Sequence, residues 1–285
     1  MKKKLLVIGL VSIMTMSMVA CGKETSGTSN QENKTSVDST ETQNTAQDDS
    51  TEDNKKEKDE ELTDEYLLSL PETPADQFLY EELADGTISI YSYLGEYGED
   101  KIVVVPAQID GKDVTDIHFN LFSNTIFKAV VTGKNIVEIP SNGFSGAKIQ
   151  KVFINGKTVK IKEDAFINAQ IEDVSFSDSV EELCIGCFTN CTLESIRIPA
   201  TIKLIDDAVF SLSDLKEVYF EGGDVMVCDL AFGSCKNLEK VYVPDCGITF
   251  EEEVFYLTDN VTIVTPAGSK AEEYAKANGI KVEND

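Results

Sequence analysis

The sequence predicts a mainly β solenoid: a stack of about seven units of 22–23 residues, with short helical turns between strands and a cap at each end. Three observations predict it. Phenylalanine recurs at Phe122, Phe144, Phe166, Phe188, Phe210, Phe232 and Phe255, at five intervals of 22 residues and a last one of 23. The residue before each is apolar (Leu121, Gly143, Ala165, Cys187, Val209, Ala231, Val254), and the one three places after is small (Thr125, Ala147, Ala169, Cys191, Ser213, Cys235, Thr258). Each unit also opens on an apolar i, i+3, i+5 pattern whose last two members alternate with an outward residue, as a strand does. Self-similarity at such a period belongs to units that cannot cover their own apolar faces and therefore stack.

The segments before the stack are taken first. Lys2, Lys3 and Lys4 precede an uncharged run, Leu5 to Ala20, that is short for a membrane-spanning helix, which needs about 20 apolar residues. The run ends in Met18-Val19-Ala20-Cys21, which resembles the bacterial lipobox. That resemblance implies that residues 1–20 are a signal peptide, that Cys21 is lipidated and becomes the mature N-terminus, and that the protein is exported and held at the outer face of the cytoplasmic membrane or on the cell surface. Each buried methylene contributes about 0.8 kcal/mol, so two or more acyl chains hold durably where one is marginal. The alternative is an ordinary secretory signal cleaved near Ala20.

Residues 21–62 read as a tether. They are mostly Ser, Thr, Asn, Gln, Asp, Glu and Lys, with no aromatic residue and almost nothing aliphatic before Leu62, and such a segment buries too little apolar area to offset the entropy of ordering. A flexible chain of that length spans roughly 35–40 Å. Loss of the signal peptide removes three lysines and no acids, taking the formal charge from −26 to −29. This excludes nucleic acid, whose phosphates require basic patches, and adsorption to anionic lipid; the membrane is expected as a partner through the lipid anchor only.

Residues 63–101 are expected to cap the stack, with a helix over 64–70 after Thr63, stopped by Pro71. A hairpin over 78–83 and 87–93 turns at Ala84-Asp85-Gly86. The repeats occupy 102–260. Their strand sets are Ile149-Val152-Ile154, Ile171-Val174-Phe176, Leu193-Ile196-Ile198, Leu215-Val218-Phe220 and Leu238-Val241-Val243, with Ile126-Ala129-Val131 as a weaker member. A second apolar point stands five residues before each phenylalanine, from Ile117 to Phe250. Stacking places equivalent positions in columns, and the seven phenylalanines make one structural core column. In residues 261–285, Ser269 N-caps a helix over 271–277, Asn278-Gly279 ends it, and a last strand follows at 280–282.

Segments such as Leu193-Glu-Ser-Ile-Arg-Ile-Pro199, Ala165-Phe166 and Ala231-Phe232-Gly-Ser-Cys235 resemble the BspA-type leucine-rich repeat, with its L-x-x-V-x-I-P strand and A-F-x-x-C turn. The likeness spans residues 78–285, from Asp85-Gly86-Thr87 and Val103-Val104-Val105-Pro106 to Pro266-Ala267-Gly268-Ser269. It departs where the usual glycine after the second apolar point becomes Lys162, Cys184, Asp206 or Cys228. The resemblance implies a surface protein that binds another protein, host or bacterial, or mediates adhesion.

The search for chemistry is short. Cys184, Cys187 and Cys191 are spaced like metal ligands, but structural zinc takes four and the single histidine, His118, lies three repeats away; no metal or cofactor is expected. Cys184 and Cys228, like Cys191 and Cys235, share columns two repeats apart, roughly 9–10 Å, too far for a disulfide. No catalytic set is legible, so an enzyme is not expected; a hydrolase using surface carboxylates ranks last, behind an envelope-organising protein with a partner on the same cell. The candidate contact surface is the outward row between the last two apolar residues of each strand set: Val130, Phe153, Ser175, Arg197, Tyr219 and Tyr242, flanked by Lys128, Lys151 and Lys240. Phe153, Arg197, Tyr219 and Tyr242 are the candidate binding residues, because Tyr and Arg dominate interface hot spots. Strand propensity alone accounts for Phe and Tyr there, though not for Arg197, the chain's one arginine.

Overall fold

The structure, a computed structural model, describes residues 62–285. The expected signal peptide, Cys21 and nearly all of the expected tether lie outside the described residues. Thr63 accepts the Tyr66 N–H on its side chain and starts α1 (Asp64–Ser69), with Asp64 and Glu65 in the first turn, where the helix dipole favours negative charge. A 3-10 turn (Ala75–Gln77) leads to β1 (Phe78–Glu82) and β2 (Ile88–Tyr93), an antiparallel pair. Then come β3 (Gly98–Val104), β4 (Gln108–Ile109) and β5 (Lys112–Ile117), with β5 parallel to β2.

From there each repeat alternates a longer and a two-residue strand. The order is β6 (Ile126–Val131), β7 (Glu138–Ile139), β8 (Lys148–Ile154), β9 (Lys160–Ile161), β10 (Gln170–Phe176), β11 (Glu182–Leu183) and β12 (Ser195–Ile198), then β13 (Leu204–Ile205), β14 (Glu217–Phe220), β15 (Met226–Val227), β16 (Lys240–Tyr242), β17 (Thr249–Phe250) and β18 (Thr262–Val264). α2 (Lys270–Ala277) and β19 (Lys281–Glu283) close the stack, Ser269 capping α2 by accepting the Glu272 N–H. The short strands β7 to β17 form one continuous parallel ladder, while the longer ones form two panels, β3-β6-β8-β10 and β12-β14-β16-β18-β19.

The phenylalanine column is the core. Successive rings from Phe122 to Phe255 stack with centroids 4.6–5.6 Å apart. Six are fully buried and Phe255, the last in the column, nearly so. The backbone fixes this spacing: Phe166 donates its N–H to Cys187 O at 2.8 Å and Phe188 to Val209 O at 2.9 Å, and the bond recurs from repeat to repeat. Small residues three places later are hydrogen-bond donors as well as fillers. Cys191 Sγ donates to Phe166 O (2.9 Å), Cys235 Sγ to Phe210 O (3.1 Å) and Thr258 Oγ1 to Phe232 O (2.7 Å). Phe166 O and Phe210 O also accept the N–H of Ala169 (3.0 Å) and Ser213 (3.2 Å), so each thiol gives its carbonyl a second bond. At Phe232 O the Thr258 hydroxyl supplies the bond whose loss would carry a desolvation cost of about 1–3 kcal/mol. Burial pushes the Cys191 thiol up to about 12, so it remains the protonated donor that this bond requires.

The turn around each phenylalanine from Phe122 to Phe232 has two left-handed residues, two places before it and two after, and the turn at Phe255 has only the second. Asn124, Gly146, Asn168 and Asn190 fill the second position in four repeats, and Leu212, Ser234 and Leu257 fill it in the rest. Asn tolerates that region through its short polar side chain, whereas leucine is strained there.

One expectation about register is corrected. The set Ile126-Ala129-Val131 is displaced by one residue: Phe127 pairs with Ile149, Val130 with Val152 and Val131 with Phe153. The core members are therefore Phe127, Val130 and Thr132, all buried, and Val130 does not belong to the outward row. Phe127 keeps the five-residue spacing from its column phenylalanine that Ile149 and Ile171 keep from theirs. A slip of one residue exchanges the two faces of a strand, so Val131 takes the outward place, and Lys128 leaves the flanking row because Ala129, not Lys128, stands beside Lys151.

Candidate interaction surface

On the panel face the outward row runs Val104, Val131, Phe153 and Ser175 over the first panel. By repeat spacing it continues as Arg197, Tyr219, Tyr242 and Val264 over the second. The first panel is already covered, by the chain itself. Leu67 of α1 is completely buried against Ala129, Val131 and Phe153, with Leu62, Tyr66 and Leu70 packed around it. Phe153 keeps 7% of its surface, so this candidate binding residue is not an exposed contact point: it is the floor on which α1 sits. Sequence spacing showed Phe153 facing away from the core but not that an upstream segment would fold back over it. Beyond α1, Thr73 N–H donates to Val104 O (2.8 Å) and Val104 N–H to Thr73 Oγ1 (3.0 Å), occupying part of the edge of β3.

Lys151 is held beneath α1, 2.8 Å from Asp64 and 2.6 Å from Asp173. Burial alone lowers the ammonium's pKa, but the bonds to Asp173 and Asp64 outweigh it and the net shift is upward. The flanking Lys240 is bound to Glu283 at 2.9 Å. Neither lysine is therefore a bare cation.

The second panel is open. Arg197 is exposed, and its guanidinium carbon lies 4.8 Å over the Tyr219 ring. Tyr219 and Tyr242 are half-buried and stack on each other at 4.5 Å with planes 1° apart. Glu217 accepts from both hydroxyls, from Tyr219 at 2.7 Å and Tyr242 at 3.2 Å. That carboxylate pushes the Tyr219 hydroxyl up to about 12, so it stays protonated and keeps donating. Arg197, Tyr219 and Tyr242 thus form one pre-ordered stack, presenting mainly ring edges and a guanidinium. An ordered aromatic–arginine row loses little conformational entropy on contact.

Between the panels the ladder is interrupted, since β10 and β12 are not hydrogen-bonded neighbours. Ser177 N–H bonds Ile154 O and Glu221 N–H bonds Ile198 O; the equivalent residue between them is Pro199, which has no N–H to give to Phe176 O. A cleft of about 360 Å³ opens at this seam, lined by Asp64, Lys151, Ser175, Arg197 and Glu221 among others. A second cleft, about 540 Å³, lies at the far end between the last turn and α2, with Tyr256 and Tyr274 in its wall.

His118 is exposed and lies over Phe119. Of the cysteines, Cys187, Cys191 and Cys235 are buried in the core and Cys184, Cys228 and Cys246 are partly so. Among the described residues, Asp206, Asp207 and Cys228 bring one donor atom each within 4.8 Å of one another, a grouping that sequence spacing did not single out. Burial and the neighbouring acids push the Cys228 thiol up to about 11, unlike a preformed thiolate ligand. No helix of the described residues is long and apolar enough to cross a membrane.

Comparison with known proteins agrees with this architecture. The BspA type leucine rich repeat region matches in six copies over residues 107–216 and 137–262, more than half of the chain. The chain belongs to that family of leucine-rich-repeat proteins. No curated protein matches it. Among solved structures it is similar to a leucine-rich repeat protein of T. pallidum, at 22% identity and a TM-score of 0.54, over 75% of this chain and 98% of that one. Similarity extends to the pneumococcal vaccine antigen PcpA, at 20% identity and a TM-score of 0.47, over 70% of this chain and 50% of that one. Repeats of this family are typically non-catalytic scaffolds that mediate contact between proteins.

Proposed function

We propose that the protein is a surface-displayed binding module, anchored by lipid on Cys21 and contacting a protein partner, host or bacterial, through the open panel at Arg197, Tyr219 and Tyr242. The observation that carries the surface is the ordered Arg197–Tyr219–Tyr242 stack, with Arg197 exposed and both rings half-buried, on a chain of formal charge −26. What supports the anchoring is the Met18-Val19-Ala20-Cys21 ending of a short apolar run behind three lysines. Adhesion is the role that such a display serves.

Two experiments test the reading. Immobilised host-matrix and bacterial surface proteins are screened with the wild-type chain and with the Arg197→Ala/Tyr219→Ala double variant. A bound partner should be held at least tenfold more weakly by the variant, about 1.4 kcal/mol or more, with little loss of stability. Normal binding by the variant would move the contact surface elsewhere. Cys21→Ser should shift the protein from the detergent to the aqueous phase on partitioning, and retention in detergent would refute lipidation there.

A further inference from the structure

We infer that the open panel receives a short partner segment built like the chain's own α1: a carboxylate that meets Arg197, and an aliphatic side chain one helical turn later that lies against the edges of Tyr219 and Tyr242. This deepens the reading of the panel as a protein-binding surface and rests on it. Two observations point to this occupant.

The first is continuity with an interface the molecule already makes. α1 lies on the same outward row, over the neighbouring panel, and does so by a two-part code. Asp64 pairs with Lys151 at 2.8 Å, and Leu67, three residues later, is buried among Ala129, Val131 and Phe153. Residues three apart on a helix share a face, so the acid and the leucine reach the sheet together. The chain thereby shows what kind of segment this face accepts. Asp64 and Arg197 line the same cleft, so the covered and the open sites adjoin at the seam.

The second is charge. On the open panel Glu283 is shared by Lys240 (2.9 Å) and Lys281 (3.1 Å), and Glu217 is engaged by the two tyrosine hydroxyls. On the covered panel, beside the seam, Lys151 pairs with both Asp64 and Asp173. Among the described residues Arg197 makes no ion pair: its guanidinium rests on Tyr219 and the residue is exposed. Glu221, in the wall of the same cleft, makes no ion pair with it. A carboxylate from outside completes the set, and a guanidinium takes a carboxylate with two parallel bonds. Tyr219 is stacked on by Arg197 and Tyr242, and Tyr242 by Tyr219, so the row offers mainly apolar edges, which suit an aliphatic side chain better than a flat sugar or base.

The probe is the synthetic peptide Leu62–Thr73, added to the full-length protein. The tethered α1 holds its own panel at high effective concentration, so the free peptide meets the open one. Because Arg197 is the only arginine, its Nε–Hε group gives one cross-peak in an ¹⁵N-labelled sample and reports weak binding directly. That peak should move saturably with peptide. Peptides carrying Asp64→Asn or Leu67→Ala should each bind about fivefold or more weakly, and the Arg197→Gln protein should lose the response of Tyr219 and Tyr242 to the same degree. The inference is overturned if the Arg197 peak stays fixed at millimolar peptide. It is equally overturned if all three peptides titrate alike, or if only resonances around Phe153 and Val131 respond, which would mean exchange with α1. Such a failure leaves protein binding by the panel standing; that reading falls only if the Arg197→Ala/Tyr219→Ala variant holds a partner normally.

Discussion

Phe188→Ala tests the column at its middle. The ring is fully buried, stacked between Phe166 at 4.8 Å and Phe210 at 5.5 Å, with Phe176 edge-on at 6.2 Å. Truncation of a buried phenylalanine costs about 3–5 kcal/mol. Aromatic pairs contribute about 0.5–1.5 kcal/mol each beyond the area they bury, and three are lost here, which places the expected cost near the upper end of that range. Phe255, 8% exposed, stacks on one column neighbour, Phe232 at 5.6 Å, and touches Phe250 and Tyr274 only at a tilt. Its truncation should cost less, about 3 kcal/mol or below. In a stack where each unit leans on its neighbours, a central break removes two contacts and a terminal one removes a single contact. Urea unfolding followed by far-UV dichroism measures both, with Lys203→Ala as a surface control. A Phe188→Ala midpoint no lower than the control's, or a larger loss at Phe255 than at Phe188, would refute the column as the continuous core.

Further outcomes follow from single sites. Leu212 has φ 61° and is 55% exposed; Leu212→Asn, the residue that Asn124, Asn168 and Asn190 supply at that place, should raise the urea midpoint by about 0.5–1 kcal/mol of stability, and an unchanged midpoint would show that the turn carries no strain there. Thiol labelling of the unfolded, unreduced chain should find all six cysteines after Cys21 reactive, while in the folded state at pH 8 Cys191, pushed up to about 12, stays unlabelled; two or four missing thiols would reveal disulfides. Glu272 is held at about 2 by its bonds to Lys276, the Gly268 N–H and Asn284. A carboxyl depressed in the folded state stabilises above its unfolded value and loses that contribution as pH falls through the folded one. Amide exchange at Gly268 and Glu272 should therefore show faster opening, after correction for intrinsic rates, as pH drops from about 4.5 toward 2. Glu272→Gln should remove that dependence.

Repetition made much of this protein legible in one dimension. A 22-residue period in phenylalanine requires a stack, because an apolar position repeated at constant spacing is satisfied only by its own copies above and below, and the rings from Phe122 to Phe255 meet as that argument demands. The same arithmetic put Arg197, Tyr219 and Tyr242 in neighbouring rungs, as the strand pairing has them. It failed at Ile126, where two adjacent apolar residues compete for one inward place and only the pairing of Phe127 with Ile149 decides between them. Nor did it show the donor role of Cys191 and Cys235, since a small residue in a column reads as a filler until the carbonyl of the preceding turn is seen beneath it. Above all, periodicity describes the stack and says nothing of what lies on it. That Leu67 and Asp64 settle on Phe153 and Lys151, closing half of the outward row and leaving Arg197 and its tyrosines open, is a contact between residues some ninety places apart outside the repeat. Only the tertiary structure could decide which half of the face remained to meet a partner, because burial there depends on which segment reaches the surface first, not on which residues the strand turns outward.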